Sequence, residues 1–311
     1  MSAGWVAGAV RARAMSRRRV GAVAARDLAG RPSLELAVDS LADGPYGHDV
    51  RPGQTLSQAQ HAVSATVLWN MRVLAGWLPT GASQIMRLLA GGFEVANVDE
   101  HLRELEGRSV EPPFHLGSLA TTWQSAARAP TAADLRTVLA RSPWGDPGSD
   151  SPAGIGLGMR LAWAARVASG VPQARPWACG AAALILAREL LLAGSTPTPQ
   201  AQRTLAPLLG SAWTDARTIT GLAACLAPEA RWVLEGIEDP EDLWRAEAAW
   251  WSRLSVDGAT LLHRPGAGPA PVVGSVAVLA VDAWRVRAAL EVAARGGSDA
   301  PGALEVFDAV A

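Results

Sequence analysis

The sequence predicts an all-α chain, and three observations carry that reading. Apolar residues recur near the 3.6-residue helical period through most of its length, whereas β-branched runs are sparse. Two fifteen-residue stretches, Ser33 to Gly47 (SLELAVDSLADGPYG) and Thr131 to Gly145 (TAADLRTVLARSPWG), repeat an opening hydroxyl, a Leu-Ala pair and a closing Pro-aromatic-Gly. Three longer segments, Phe93 to Gly107, Gly180 to Gly194 and Asp282 to Gly296, are apolar-periodic and each stops at a glycine. Repetition of helical units on this scale is more often the mark of a scaffold than of an enzyme. It favours one domain of three pseudo-repeated helical modules, near 1–107, 108–194 and 195–311, over two unrelated domains.

The first element is expected to be one helix from Trp5 to about Ala29, with Trp5, Ala9, Ala12, Val20 and Val23 on its apolar face and Arg11 and Arg18 opposite. Ser33 is placed to cap the next helix, and Thr131 with Asp134 forms a shortened capping box for its copy. Pro45 and Pro143 end these two helices, because the residue before a proline leaves the helical region. Thr55 to Trp77 reads as a long helix and Ser83 to Leu89 as a short one. Val95, Val98, Leu102 and Leu105 then line one face of an amphipathic helix, whereas Gly180 to Gly194 is apolar nearly all round and expected to be more deeply buried. Pro, Gly and Ser place linkers at 107–113, 142–158, 194–199 and 263–271. Val272 to Val281 alone has a strand-like composition, and it reads equally as the start of the last helix.

Charge nearly cancels, with 28 basic against 29 acidic residues, so no whole-chain field draws it to nucleic acid or anionic lipid. All 28 basic residues are arginine. With 13 tryptophans against one tyrosine, this is the composition of a GC-rich genome. The N-terminal arginines spread around much of their helix and read as a solvated or partner-facing surface rather than a phosphate grip. Cys179 and Cys225 have neither metal-site nor disulfide spacing and suit a reducing interior as small core residues. No stretch reaches the roughly 20 clean apolar residues of a membrane span, and no signal-peptide core is present. A soluble cytoplasmic protein is expected.

Catalytic motifs are absent. The five histidines show no paired ligand spacing, no GxSxG elbow occurs, and Gly154, Gly156 and Gly158 lack the strand and the lysine that a phosphate-cradling loop needs. Asp239, Glu241 and Asp242 precede a helix, where carboxylates complement its dipole. Trp244 and Trp251, seven residues apart on one helical face, are expected to pack into the core or meet a partner.

The opening WVAGAVRARAMSRRRVG, at Trp5, Val10, Arg11, Ala14 and Met15, the SLELAVDSLADGPYGHDV segment with its Pro-Tyr turn, and GGFEVANVDEHLREL, at Phe93 and Asn97, carry a family likeness. Together they resemble the family of central-stalk C subunits of V-type and A-type ATPases, known as the d subunit in the eukaryotic vacuolar enzyme. LWRAEAAWWSRL and VDAWRVRAAL fall where that family places corresponding helices. The resemblance implies an all-helical funnel of three modules, mounted on the membrane proteolipid ring and receiving the foot of the central shaft in its mouth. It implies a non-catalytic, cofactor-free subunit that transmits torque for ion or proton transport. Such a subunit sits in the cytoplasm, peripheral to the cytoplasmic membrane and bound there through its protein partners. Arg11, Arg18, Trp244 and Trp251 are then the candidate partner-contact residues. A third copy of the short Pro-aromatic helix is not recognisable. The same repeats also suit a standalone helical adaptor that binds other proteins. An enzyme would instead need His48, His101 or His115 beside paired carboxylates in one cleft.

Overall fold

Side-chain caps set where this chain becomes helical. In the computed structural model, which describes residues 3–297, Ser33, Thr131 and Thr218 stand in extended backbone, and each hydroxyl oxygen accepts the backbone N–H three residues on, from Leu36, Asp134 and Gly221. Each bond satisfies one of the N–H groups that a helix start leaves without a partner, a contribution of about 1 kcal/mol. At Thr131 the box is not reciprocal: the hydroxyl donates to the Asp134 carboxylate at 2.6 Å, because Asp is too short to reach back to the cap's own N–H. A complete capping box stands instead at Thr55 and Gln58.

Every regular element among the described residues is a helix. α1 (Ala3–Arg17) and α2 (Gly21–Ala29) lead into α3 (Leu34–Ala42) and α4 (Leu56–Ala75), followed by α5 (Ser83–Leu89) and α6 (Gly91–Leu105). One-turn α7 (Trp123–Ala126) precedes α8 (Ala132–Ala140), α9 (Pro152–Gly170) and α10 (Arg175–Ala187), which ends in a π-helical turn over Arg188–Leu192. α11 (Pro199–Leu209), α12 (Ile219–Cys225) and α13 (Pro228–Arg231) complete the run to α14 (Leu243–His263) and α15 (Pro269–Ala294). The strand-like stretch Val272 to Val281 lies wholly within α15. Burial on every side, rather than sheet pairing, accounts for its β-branched residues.

The chain divides into two compact units, Met1–Ser83 with Trp251–Ala311, and Gln84–Trp250. In the first, α15 packs against α1, α2, α3 and α4. Its crossing with α1 is lined by small residues, and the buried hydroxyls of Ser16 and Ser275 are 2.8 Å apart there. In the second, α9 packs on α6, α10 and α11, and α10 on α13. Leu135, Leu139 and Trp144 join Val95, Val98, Leu102, Ile155 and Met159 in one buried cluster.

Two sequence expectations are corrected. The helix expected from Trp5 to Ala29 is broken between Arg17 and Gly21, where Gly21 has φ +81°. The break changes the facing of the residues beyond it, so Val23, expected on the apolar side, is 79% exposed. The glycines expected in a linker before Met159 lie inside α9, which Ser151 caps and Pro152 opens. Gly158 there faces Pro147, with only 2.7 Å between that residue's Cα and the place of a Cβ.

A third short helix, α12, is capped by a hydroxyl in the same way. Thr218 precedes Leu226-Ala227 by the same offset that separates Ser33 from Leu41-Ala42 and Thr131 from Leu139-Ala140. These capped helices have 9, 9 and 7 residues, and the next long helix in each case has 20, 19 and 21. Pro228 comes directly after the Leu-Ala pair, and no aromatic-Gly pair succeeds it. The closing Pro-aromatic-Gly signature is therefore absent after this helix. The final residues of the expected third module, 298–311, lie outside the described residues.

Candidate functional site

The two Pro-aromatic-Gly turns make the same bond with different chemistry. In the first unit the Tyr46 hydroxyl donates to Asp282 Oδ2 at 3.0 Å, and the same carboxylate accepts the backbone N–H groups of Val20 at 3.0 Å and Gly21 at 2.7 Å. In the second, the Trp144 indole donates to Glu94 Oε1 at 3.0 Å, and that carboxylate accepts the N–H groups of Thr121 at 2.7 Å and Thr122 at 2.6 Å. Asp282 and Glu94 are 2% and 1% exposed. A carboxylate so buried is tolerated only with its lone pairs filled, and each has three donors. Two of the three are consecutive N–H groups at the start of a short helix, α2 or α7, where free N–H groups and the helix dipole both favour an anion. Burial, then the Asp282 charge and hydrogen bond, hold the Tyr46 phenol well above its ordinary value.

Counted back from their closing glycines, α15 has Asp282 where α10 has Gly180 and α6 has Phe93, one position before Glu94. A Cβ at Gly180 would stand 2.6 Å from Trp232 Cζ2, so an indole occupies the space that a side chain of α10 would need.

Beside the Tyr46 turn lies a cavity of about 510 Å3, contained in the first unit. α1 contributes Arg11 and Met15, and the turn after it Arg18 and Arg19; the Pro-Tyr turn contributes Pro45, Tyr46 and His48; α4 contributes Val67, Trp69 and Asn70, with Leu279 and Asp282 from α15. His48 stacks on Trp69 with ring centroids 4.2 Å apart, and its Nδ1 lies 2.8 Å from Asp49 Oδ2. That oxygen also accepts the Thr66 hydroxyl at 2.9 Å, which fixes the carboxylate and through it the ring.

Arg11 and Arg18, singled out from sequence, are brought together on this cavity, and the Arg11 guanidinium also lies 5.9 Å from the Trp77 ring centroid. Trp244 and Trp251 differ in burial: beside buried Leu243, Trp244 is 45% exposed, with the Arg245 guanidinium 5.1 Å from its ring. Trp251 is half-buried and stacks on Trp284 at 5.1 Å with planes 14° apart.

The histidines take separate places. His48 belongs to the first unit, whereas His101 in the second has Nε2 2.9 Å from the Ala129 carbonyl, and His115 is exposed. Cys179 is buried and Cys225 half-buried, both as free thiols, and burial pushes the Cys179 thiol up. Among the described residues, no group of three or more His, Cys, Asp or Glu is placed to hold a metal ion, and no helix is long and apolar enough to cross a membrane.

Sequence reasoning passed over Asp282 and Glu94. The available signal was a single acid set in helices whose neighbouring positions are apolar or small, since such an acid must find donors when the helix is buried. Compared with known proteins, the chain matches no family model and no curated protein sequence.

Proposed function

We propose that this chain is a non-catalytic rotor or central-stalk subunit of a V/A-type ATPase, joining the central shaft to the membrane proteolipid ring and passing torque between them for ion transport. The observation that supports the reading most is the recurrence of one local design: three hydroxyl-capped short helices, each followed by a helix of 19 to 21 residues, two of them tied back through an aromatic donor to a buried acid. A rotor coupling needs a stiff repeated frame rather than a reaction centre. Buried charge-assisted bonds between helices supply stiffness of that kind.

On this reading the repeated units form three modules of a funnel located in the cytoplasm at the membrane periphery. Arg11 and Arg18 at the basic cavity and the exposed face around Trp244 supply contact surface for protein partners. Exposed tryptophan and arginine are the side chains that most often anchor such contacts.

The test is affinity purification of the tagged protein from detergent-solubilised membranes of its host, with the co-purifying chains identified by mass spectrometry. Recovery of ATPase catalytic subunits together with the proteolipid is the expected result. A soluble monomer that brings down none of them would reject the rotor assignment and favour a standalone helical adaptor.

A further inference from the structure

We propose that the cavity of the first unit is a binding site for a small amphiphilic anion, with an oxyanion head at its guanidinium mouth and an aliphatic body against its inner wall. This goes beyond the rotor reading and does not depend on it. The cavity, at about 510 Å3, falls within the size range of small-molecule sites. Its charge is one-sided: Arg11 on α1 and Arg18 and Arg19 just past its end line it, and among the described lining residues the one carboxylate is Asp282. Asp282 already accepts from Val20, Gly21 and Tyr46, so its oxygens are committed to the fold.

Arg19 already donates to the Ser16 carbonyl at 2.7 Å, and a phosphate or carboxylate in the cavity would give Arg11 and Arg18 an acceptor for directed hydrogen bonds. His48 adds a fourth polar group. Its Nδ1 is taken by Asp49 and its ring is held against Trp69, which leaves Nε2 for a ligand. Met15, Val67 and Leu279 form an apolar wall suited to an alkyl body. A bare inorganic ion would leave that wall unused, and a cation would meet the wrong charge.

Titration calorimetry on the full chain, with octyl phosphate, octylammonium and inorganic phosphate as probes, tests the assignment. Octyl phosphate is expected to saturate at one per chain, with the other two at least about tenfold weaker, since each lacks either the charge match or the apolar contact. Raising salt from about 50 to about 500 mM is expected to weaken octyl phosphate severalfold in the unaltered protein. The double variant Arg11→Gln/Arg18→Gln is expected to weaken it at least about tenfold. Ala14→Trp, an exposed lining position, should obstruct the cavity without touching the arginines. No saturable binding of octyl phosphate, equal binding of octylammonium or inorganic phosphate, or binding indifferent to both salt and Ala14→Trp would each overturn the proposal. The salt series needs no variant and so decides the charge component even if a substitution unfolds the chain.

Discussion

The indole nitrogen of Trp144 donates to the Glu94 carboxylate across 3.0 Å in the second unit, although the two residues lie 50 positions apart. Tyr46 and Asp282 make the matching contact in the first unit across 236 positions. The proline of each turn stops a short helix, the aromatic next to it reaches inward with one polar hydrogen, and a buried acid accepts it. Tyrosine and tryptophan are interchangeable here because each has a large apolar body ending in one donor.

Removing either acid should be costly. Glu94→Ala leaves three donors, one buried and two part-buried, without an acceptor, and Asp282→Ala does the same in the first unit, for an expected loss of about 3 kcal/mol or more each. Glu94→Gln keeps one acceptor oxygen and should lose less. Urea unfolding midpoints, with the exposed Glu106→Ala as reference, measure the effect. Losses no larger than the reference would remove the acids from the framework.

Tyr46 is the sole tyrosine, so absorbance near 295 nm tracks its ionisation once the tryptophan background, read from a Tyr46→Phe variant, is subtracted. The folded chain is expected to hold the phenol proton well past 10.0, where an ordinary tyrosine titrates. Between those values the folded state binds one proton more than the unfolded state, so the contribution to stability is intact below about pH 10 and is lost as pH rises further. Tyrosinate should appear only together with unfolding. A simple titration at the ordinary value in the folded chain would contradict the buried contact with Asp282.

The glycines that close the two turns are required for different reasons. A Cβ at Gly47 would stand 2.1 Å from the Ala42 carbonyl oxygen, a backbone clash, whereas Gly145 has open space but φ +78°. Gly47→Ala should therefore cost several kcal/mol, because the backbone of the turn must move, and Gly145→Ala only about 1–2 kcal/mol. Asn, which tolerates the left-handed region, should be better tolerated than Ala at Gly145 and should fare no better than Ala at Gly47. Thermal unfolding of the four variants distinguishes the two causes.

Trp244 and Trp251 should part company on substitution. Trp244→Ala removes an exposed ring and is expected to change stability by no more than about 0.5 kcal/mol while weakening partner recovery in the pull-down. Trp251→Ala loses the stack on Trp284 and is expected to cost about 2 kcal/mol. Equal stability losses would show that Trp244 serves the fold instead.

The all-helical class and most helix positions were legible because their signals are local: hydroxyl caps at Ser33 and Thr131, proline stops at Pro45 and Pro143, and the apolar period of α6. Gly21 gave little warning that it breaks the first helix, since the acceptor that fixes the break is Asp282, at the far end of the sequence. The third capped helix escaped notice because the proline and aromatic that mark the other two are displaced, leaving Thr218 and a Leu-Ala pair too common to identify alone. Trp244 lies on the same side of α14 as buried Leu262, 18 residues on, so the helical period alone could not tell which of the two would be covered.

The span between Tyr46 and Asp282 also orders events during synthesis. Glu94, Thr121, Thr122 and Trp144 all emerge within a few dozen residues, so the second unit has every member of its tie while the chain is still growing. The first unit has its turn almost at once and its acceptor only after residue 282 has been made. Until then the Val20 and Gly21 N–H groups and the phenol of Tyr46 are displayed without their acid, and the amino-terminal segment depends on the late arrival of α15 to become a finished surface.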